Sequence, residues 1–95
     1  MQAETRFKEK VLSKLKDIPK CFVIKLQQVS KVGDPDIILC VNGFYIAFEL
    51  KVGNNKATKL QQYKLDKIAE AGGIARVVTP ENLGECLEEI KCLVR

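Results

Sequence analysis

Apolar residues open this chain with a helical period: Phe7, Val11, Leu15 and Ile18 are spaced by four, four and three. That stripe predicts a helix over residues 3–17. Asp17-Ile18-Pro19 closes it, because proline disfavours helix at the residue before it. The period then changes to two. In CFVIKLQQV, residues 21–29, Phe22, Ile24 and Leu26 alternate with Val23, Lys25 and Gln27, a strand pattern. After a polar loop, residues 30–34, two nearly continuous apolar runs, 36–41 and 44–51, flank Asn42-Gly43. Asn-Gly between Ile-, Val- and Phe-rich runs is a two-residue hairpin signal, since a type I′ turn needs positive φ at both central positions. Runs this apolar argue for burial on both faces, with a helix over at least one. Thr58-Lys59-Leu60-Gln61 matches a capping box and starts a helix near Lys59 that ends at about Ala71, before Gly72-Gly73. Its apolar face holds Leu60, Leu65, Ile68 and Ala69. Residues 74–79 form a last strand, and Pro80 starts a final helix with Leu83, Leu87, Ile90 and Val94 as its stripe. The order is αβββαβα: one α/β sandwich domain over residues 1–95, with a mixed four-stranded sheet.

The hairpin turn sets the register. Val41 pairs with Phe44, and counting outward places Asp36 opposite Glu49. Opposed residues share a face, with Cβ atoms roughly 4.5–5.5 Å apart. Lys51, two residues beyond Glu49, lies on that same face. Pro35 suits the first position of a strand because it lacks a donor, and Gly33 supplies freedom before it. Two opposed carboxylates repel one another. Either a cation stands between them, with oxygen ligands of the kind that suit Mg²⁺ or Mn²⁺, or they belong to a solvated cluster in which Lys51 is an ordinary ion-pair partner.

Composition narrows the chemistry. The chain has no His, so neither Ser-His-Asp nor Cys-His nucleophile systems can be built. A general base must be a carboxylate, a lysine or a metal-bound water. Four cysteines without a CxxC pair make a structural zinc site unexpected, and they read as reduced, mostly buried thiols. The net charge of +4 permits a polyanionic partner without requiring one. No signal peptide or membrane-length apolar run is visible, so a cytoplasmic protein is expected.

Other candidates have two readings each. Glu4 continues the first helix's stripe and points along the core face, or it complements the helix dipole; Glu9 lies off the stripe. Gln61 faces the sheet, or it only closes its capping box, and Gln62 is the surface alternative. Lys56 and Lys59 flank a helix N-terminus, where free N–H groups already favour a phosphate. Lys25, Ser30 and Lys31 are further candidate contacts to a phosphate backbone.

Pro35-Asp36 followed after a hairpin by Glu49-Leu50-Lys51 resembles the PD-(D/E)XK nuclease superfamily. With Gly33-Asp34-Pro35-Asp36-Ile37, Phe48-Glu49-Leu50-Lys51 and a following helical Gln, the chain resembles more narrowly the virus-type replication-repair nuclease (VRR-NUC) domain, over roughly residues 4–79. The resemblance implies an αβββαβ core, to which the last helix is added. It implies a metal-dependent DNA endonuclease leaving a 5′-phosphate and a 3′-hydroxyl. Asp36, Glu49, the Leu50 carbonyl and, through a water, Glu4 would hold Mg²⁺ or Mn²⁺; Lys51 would act on the attacking water, and Gln61 would orient groups near the metal. Stand-alone viral domains of this kind further imply a four-way junction as substrate and a host cytoplasm as location. A homodimer is expected as well, since two-fold DNA suits a two-fold enzyme and a short chain has apolar surface left to bury, with the stripe of the first or last helix as its interface. The alternative is a non-catalytic nucleic-acid-binding module of the same fold.

Overall fold

The structure, a computed structural model, describes residues 3–26 and 33–95. Its elements are α1 (Ala3–Leu15), β1 (Cys21–Lys25), β2 (Ile37–Val41), β3 (Phe44–Leu50), α2 (Lys59–Glu70), β4 (Ile74–Val78) and α3 (Leu83–Cys92). The strands lie in the order β1-β2-β3-β4. β1, β2 and β3 pair antiparallel and β4 joins β3 in parallel, so the sheet is mixed as expected.

The Asn-Gly turn sets the register that the sequence predicts. Asn42 has φ 50° and Gly43 φ 88°, the positive pair of a type I′ turn. Val41 faces Phe44, and the pairing continues to Ile37 opposite Phe48. The turn is also tied down from outside. The Asn42 N–H donates to the Lys20 carbonyl at 2.9 Å, and the Asn42 side chain donates to the Leu93 carbonyl at 2.8 Å.

Alternation along the strands gives the sheet two unlike faces. On one, Ile37, Leu39, Val41, Ile46, Phe48 and Val78 form a single cluster with Phe7, Val11 and Leu15 of α1 and with Leu83, Cys86, Leu87 and Ile90 of α3. The bidentate Arg76–Glu89 pair, 2.6 and 3.0 Å, fastens α3 to β4 on this face. The other face carries Ile38, Ala47 and Glu49, and α2 covers only its β3–β4 half. Over β1 and β2 that face is open among the described residues: Phe22 is 69% exposed, Ile24 and Cys40 are exposed too, and so is Tyr45 at the start of β3. Near-continuous apolar sequence had suggested burial on both faces; one helix is too narrow to roof four strands.

α2 begins on a complete capping box. The Thr58 hydroxyl accepts from the Gln61 N–H at 3.1 Å, and the Gln61 side chain accepts from the Thr58 N–H at 2.9 Å. It ends in a Schellman motif: Gly72, at φ 98°, donates to Ala69 and Gly73 to Ile68. Leu65 is its buried anchor, while Leu60 and Ala69, expected on the apolar face, are exposed.

Smaller departures have local causes. α3 starts at Leu83 rather than Pro80, because Asn82 folds back: its side chain accepts from Thr79 N–H at 2.7 Å and donates to the Val77 carbonyl at 3.0 Å. α1 stops two residues short of expectation as its last turn tightens through Asp17 N–H to Lys14 and Ile18 N–H to Leu15. Of the cysteines, all are free and only Cys86 is buried; Cys40 and Cys92 are exposed. The expected continuation of β1 past Leu26 to Val29 lies outside the described residues. Among the described residues no helix is long and apolar enough to cross a membrane.

Candidate active site

The hairpin's open end is built by a proline. Continuing the register beyond Ile37–Phe48 brings Asp36 to Glu49 and Pro35 to Leu50. Pro35 has no N–H to give to the Leu50 carbonyl, so the ladder is not completed there. The Leu50 N–H donates to the Asp36 carboxylate, 2.8 Å from Oδ2. Asp36 is held at two more points, by its N–H on the Phe48 carbonyl at 3.0 Å and by its carbonyl, which accepts from Leu26 N–H at 3.1 Å. Sequence reasoning missed this use of the carboxylate. The signal for it was weak: Asp is a short side-chain acceptor at a strand start, where it can take a neighbouring strand's N–H.

Glu49 is buried, at 3% exposure. Its Oε2 lies 3.3 Å from Lys51 Nζ. Its Oε1 is buried without any hydrogen-bond partner among the described residues. Burial, and then the neighbouring Asp36 carboxylate, push the Glu49 carboxyl up to about 7 against the pull of Lys51. An orphaned buried oxygen facing a second carboxylate is costly in a protein alone. It fits a hard divalent cation, and Mg²⁺ is usually bound by one or two carboxylates together with substrate phosphates. Lys51 is anchored through its own N–H on the Val78 carbonyl at 3.0 Å.

The other candidates are distributed differently. Glu4 is exposed in the first turn of α1, a helix packed on the opposite face. No group of three or more Cys, Asp or Glu arranged to hold a metal occurs among the described residues, so no third acid stands with Asp36 and Glu49 as a direct ligand. Glu9 is also exposed. The Gln61 side-chain oxygen is engaged by the capping box, which is the plainer of its two readings, and Gln62 donates to Asp66 on the surface. Lys56 and Lys59 stand exposed around the start of α2. Lys25 pairs with Ile37 and so faces the core side of the sheet, not the side of Glu49; it lines a shallow groove with Lys16 and Glu9. Ser30 and Lys31 lie outside the described residues. Lys64, which the sequence did not single out, pairs with Asp34 at 2.7 Å, two residues before Asp36.

No protein-family model matches the chain, and no curated protein does. Among solved structures it is similar to one described as "VRR_NUC domain", with TM-score 0.79 and 20% identity over 93% of this chain and 97% of that one. A second, "VRR_NUC domain protein", gives TM-score 0.77 and 19% identity over 98% and 91%. At such identities the likeness is one of architecture, and it extends over nearly the whole length on both sides: the chain has the VRR_NUC fold.

Proposed function

We propose that this protein is a divalent-metal-dependent endonuclease acting on DNA. The observation that carries the reading is Glu49: a buried carboxylate with an unpartnered oxygen, opposed to Asp36 and flanked by Lys51. Binding nucleic acid requires no such pair, whereas metal-assisted phosphodiester hydrolysis uses carboxylates to hold its cation.

Asp36 and Glu49 would hold Mg²⁺ or Mn²⁺, with the Leu50 carbonyl as main-chain ligand. Such a cation supplies Lewis-acid stabilisation of charge on the scissile phosphate and makes a bound water more acidic. The chain's own residues do the rest. The Leu50 N–H fixes Asp36 Oδ2 and so aims the other carboxylate oxygen. Lys51 Nζ, 3.3 Å from Glu49 Oε2, positions the attacking water and helps to deprotonate it. Water oxygen bonds to phosphorus as the bond to the 3′ oxygen breaks, and the departing 3′ oxygen takes a proton from solvent water, leaving a 5′-phosphate and a 3′-hydroxyl. Lys56 and Lys59, at the N-terminus of α2, contact flanking phosphates. Glu4 takes no part in this proposal, and Gln61 acts through the cap of α2.

The substrate we favour is a four-way junction cut by a homodimer, since two-fold DNA calls for a two-fold enzyme. The stripes of α1 and α3 were the expected interface, but both lie within the core. The surface such a dimer would bury is the open sheet face bearing Phe22, Ile24 and Tyr45.

The test is cleavage of junction, flap, single-stranded and linear duplex DNA with Mn²⁺ and with EDTA, beside light scattering. Junction cutting that EDTA abolishes supports the reading. Binding without cutting under every condition would leave a non-catalytic module.

A further inference from the structure

Lys64 differs from the other lysines of α2. Lys59 and Lys67 are exposed, whereas Lys64 is 27% exposed and its partner Asp34 29%, on the flank of the helix that approaches the sheet. Their pair, at 2.7 Å, joins positions thirty residues apart. A second tie lies beside it. Gly33 has φ +88°, and a Cβ there would stand 2.7 Å from Leu60 Cγ, so the backbone before β2 runs directly against α2. Between this anchorage and Asp36 stands only Pro35, which is buried and has a fixed φ. A shift at Asp34 is therefore passed to Asp36 with little slack.

Building on the metal-site reading above, we propose that the Asp34–Lys64 pair is a positioning device for Asp36: it ties the lead-in of β2 to α2 and sets where the Asp36 carboxylate stands against Glu49. The pair also keeps the Asp34 anion engaged, so that it does not compete as a ligand two residues from Asp36. Lys64 and Asp34 touch neither water nor phosphate in this scheme. They act through Asp36, as outer-shell partners of metal ligands do.

The experiment compares wild type with Lys64→Gln, Asp34→Asn, the double variant and Lys64→Arg. Three quantities are read: exchange of the Leu50 amide without metal, Mn²⁺ affinity by calorimetry, and kcat and KM for DNA. The Leu50 N–H is the reporter because its acceptor is Asp36 Oδ2. Each single loss should speed Leu50 exchange and weaken Mn²⁺ binding by about tenfold, with a similar fall in kcat and an unchanged KM. The double variant should be no worse than either single one, as expected for partners in one interaction, and Lys64→Arg should restore most of the loss. Three results would overturn the proposal. One is wild-type exchange and affinity in Lys64→Gln. Another is a raised KM at constant kcat, the mark of a direct DNA contact. The third is faster exchange throughout the sheet, the mark of plain destabilisation. If wild type itself neither binds Mn²⁺ nor cuts DNA, the nuclease reading fails, while the Leu50 amide still decides whether the pair holds Asp36.

Discussion

The two faces of the sheet share the same strands yet obey different rules. On the face under α1 and α3, the central positions Ile37, Leu39, Val41, Ile46, Phe48 and Val78 are apolar and closed, and two helices fill the space. On the face under α2, one helix covers half, apolar side chains stand exposed, and a buried acid keeps an unpartnered oxygen. The first face makes the fold stable; the second departs from what stability alone would select. Ala47 and Glu49 illustrate the division, since they alternate with Ile46 and Phe48 on one strand.

Substitutions should separate the faces. The largest effect on stability belongs to the closed face: Phe48→Ala should cost about 3–5 kcal/mol, read by chemical denaturation. On the open face the largest effect is on activity. Asp36→Asn, Glu49→Gln and Lys51→Ala should each lower cutting at least about a hundredfold while the fold persists, as several kcal/mol of transition-state stabilisation are removed. A Phe48→Ala protein as stable as wild type would break the comparison from one side. An active Glu49→Gln protein would break it from the other.

A pH series sharpens it. Glu49 titrates near 7 in the folded chain against 4.5 as an ordinary side chain. The folded state therefore holds that proton more tightly than the unfolded state, and its share of stability is present below pH 4.5 and falls as pH rises to about 7. The loss levels off above that pH. Glu49→Gln should remove the slope and be the more stable protein at pH 8, measured by denaturant melts at both ends of the window. Mn²⁺ should stabilise wild type at pH 8 and do so much less at pH 5, because protons and cation compete for one carboxylate.

Smaller effects test the surroundings. Gly33→Ala should cost about 1–2 kcal/mol, since its φ is positive and Leu60 must give way. Gln61→Ala should cost about 0.5–1 kcal/mol through the lost half of the capping box, with a lesser effect on cutting than Asp36→Asn.

What the sequence made legible was local or tied to a fixed turn. Asn42-Gly43 admits one register, so the meeting of Asp36 and Glu49 could be read by counting, and Thr58 with Gln61 announced its helix. What it hid was which face each helix would cover. Periodicity shows that Phe7, Val11 and Leu15 share a stripe but not which side of the sheet receives it, so one of the two readings of Glu4 set it toward the carboxylates. For the same reason Leu60, expected on the apolar face of its helix, proves exposed, and among the described residues no second helix shares the face with α2. The Asp34–Lys64 pair was invisible because nothing local relates positions thirty apart.

The central claim is that Asp36 and Glu49 together form a divalent-cation site, and calorimetric titration of Mn²⁺ into the purified protein at pH 8 tests it most directly. Wild type should bind with a measurable heat, and Asp36→Asn and Glu49→Gln, both folded, should each lose that binding. Equal Mn²⁺ affinity in wild type and Glu49→Gln would contradict the account.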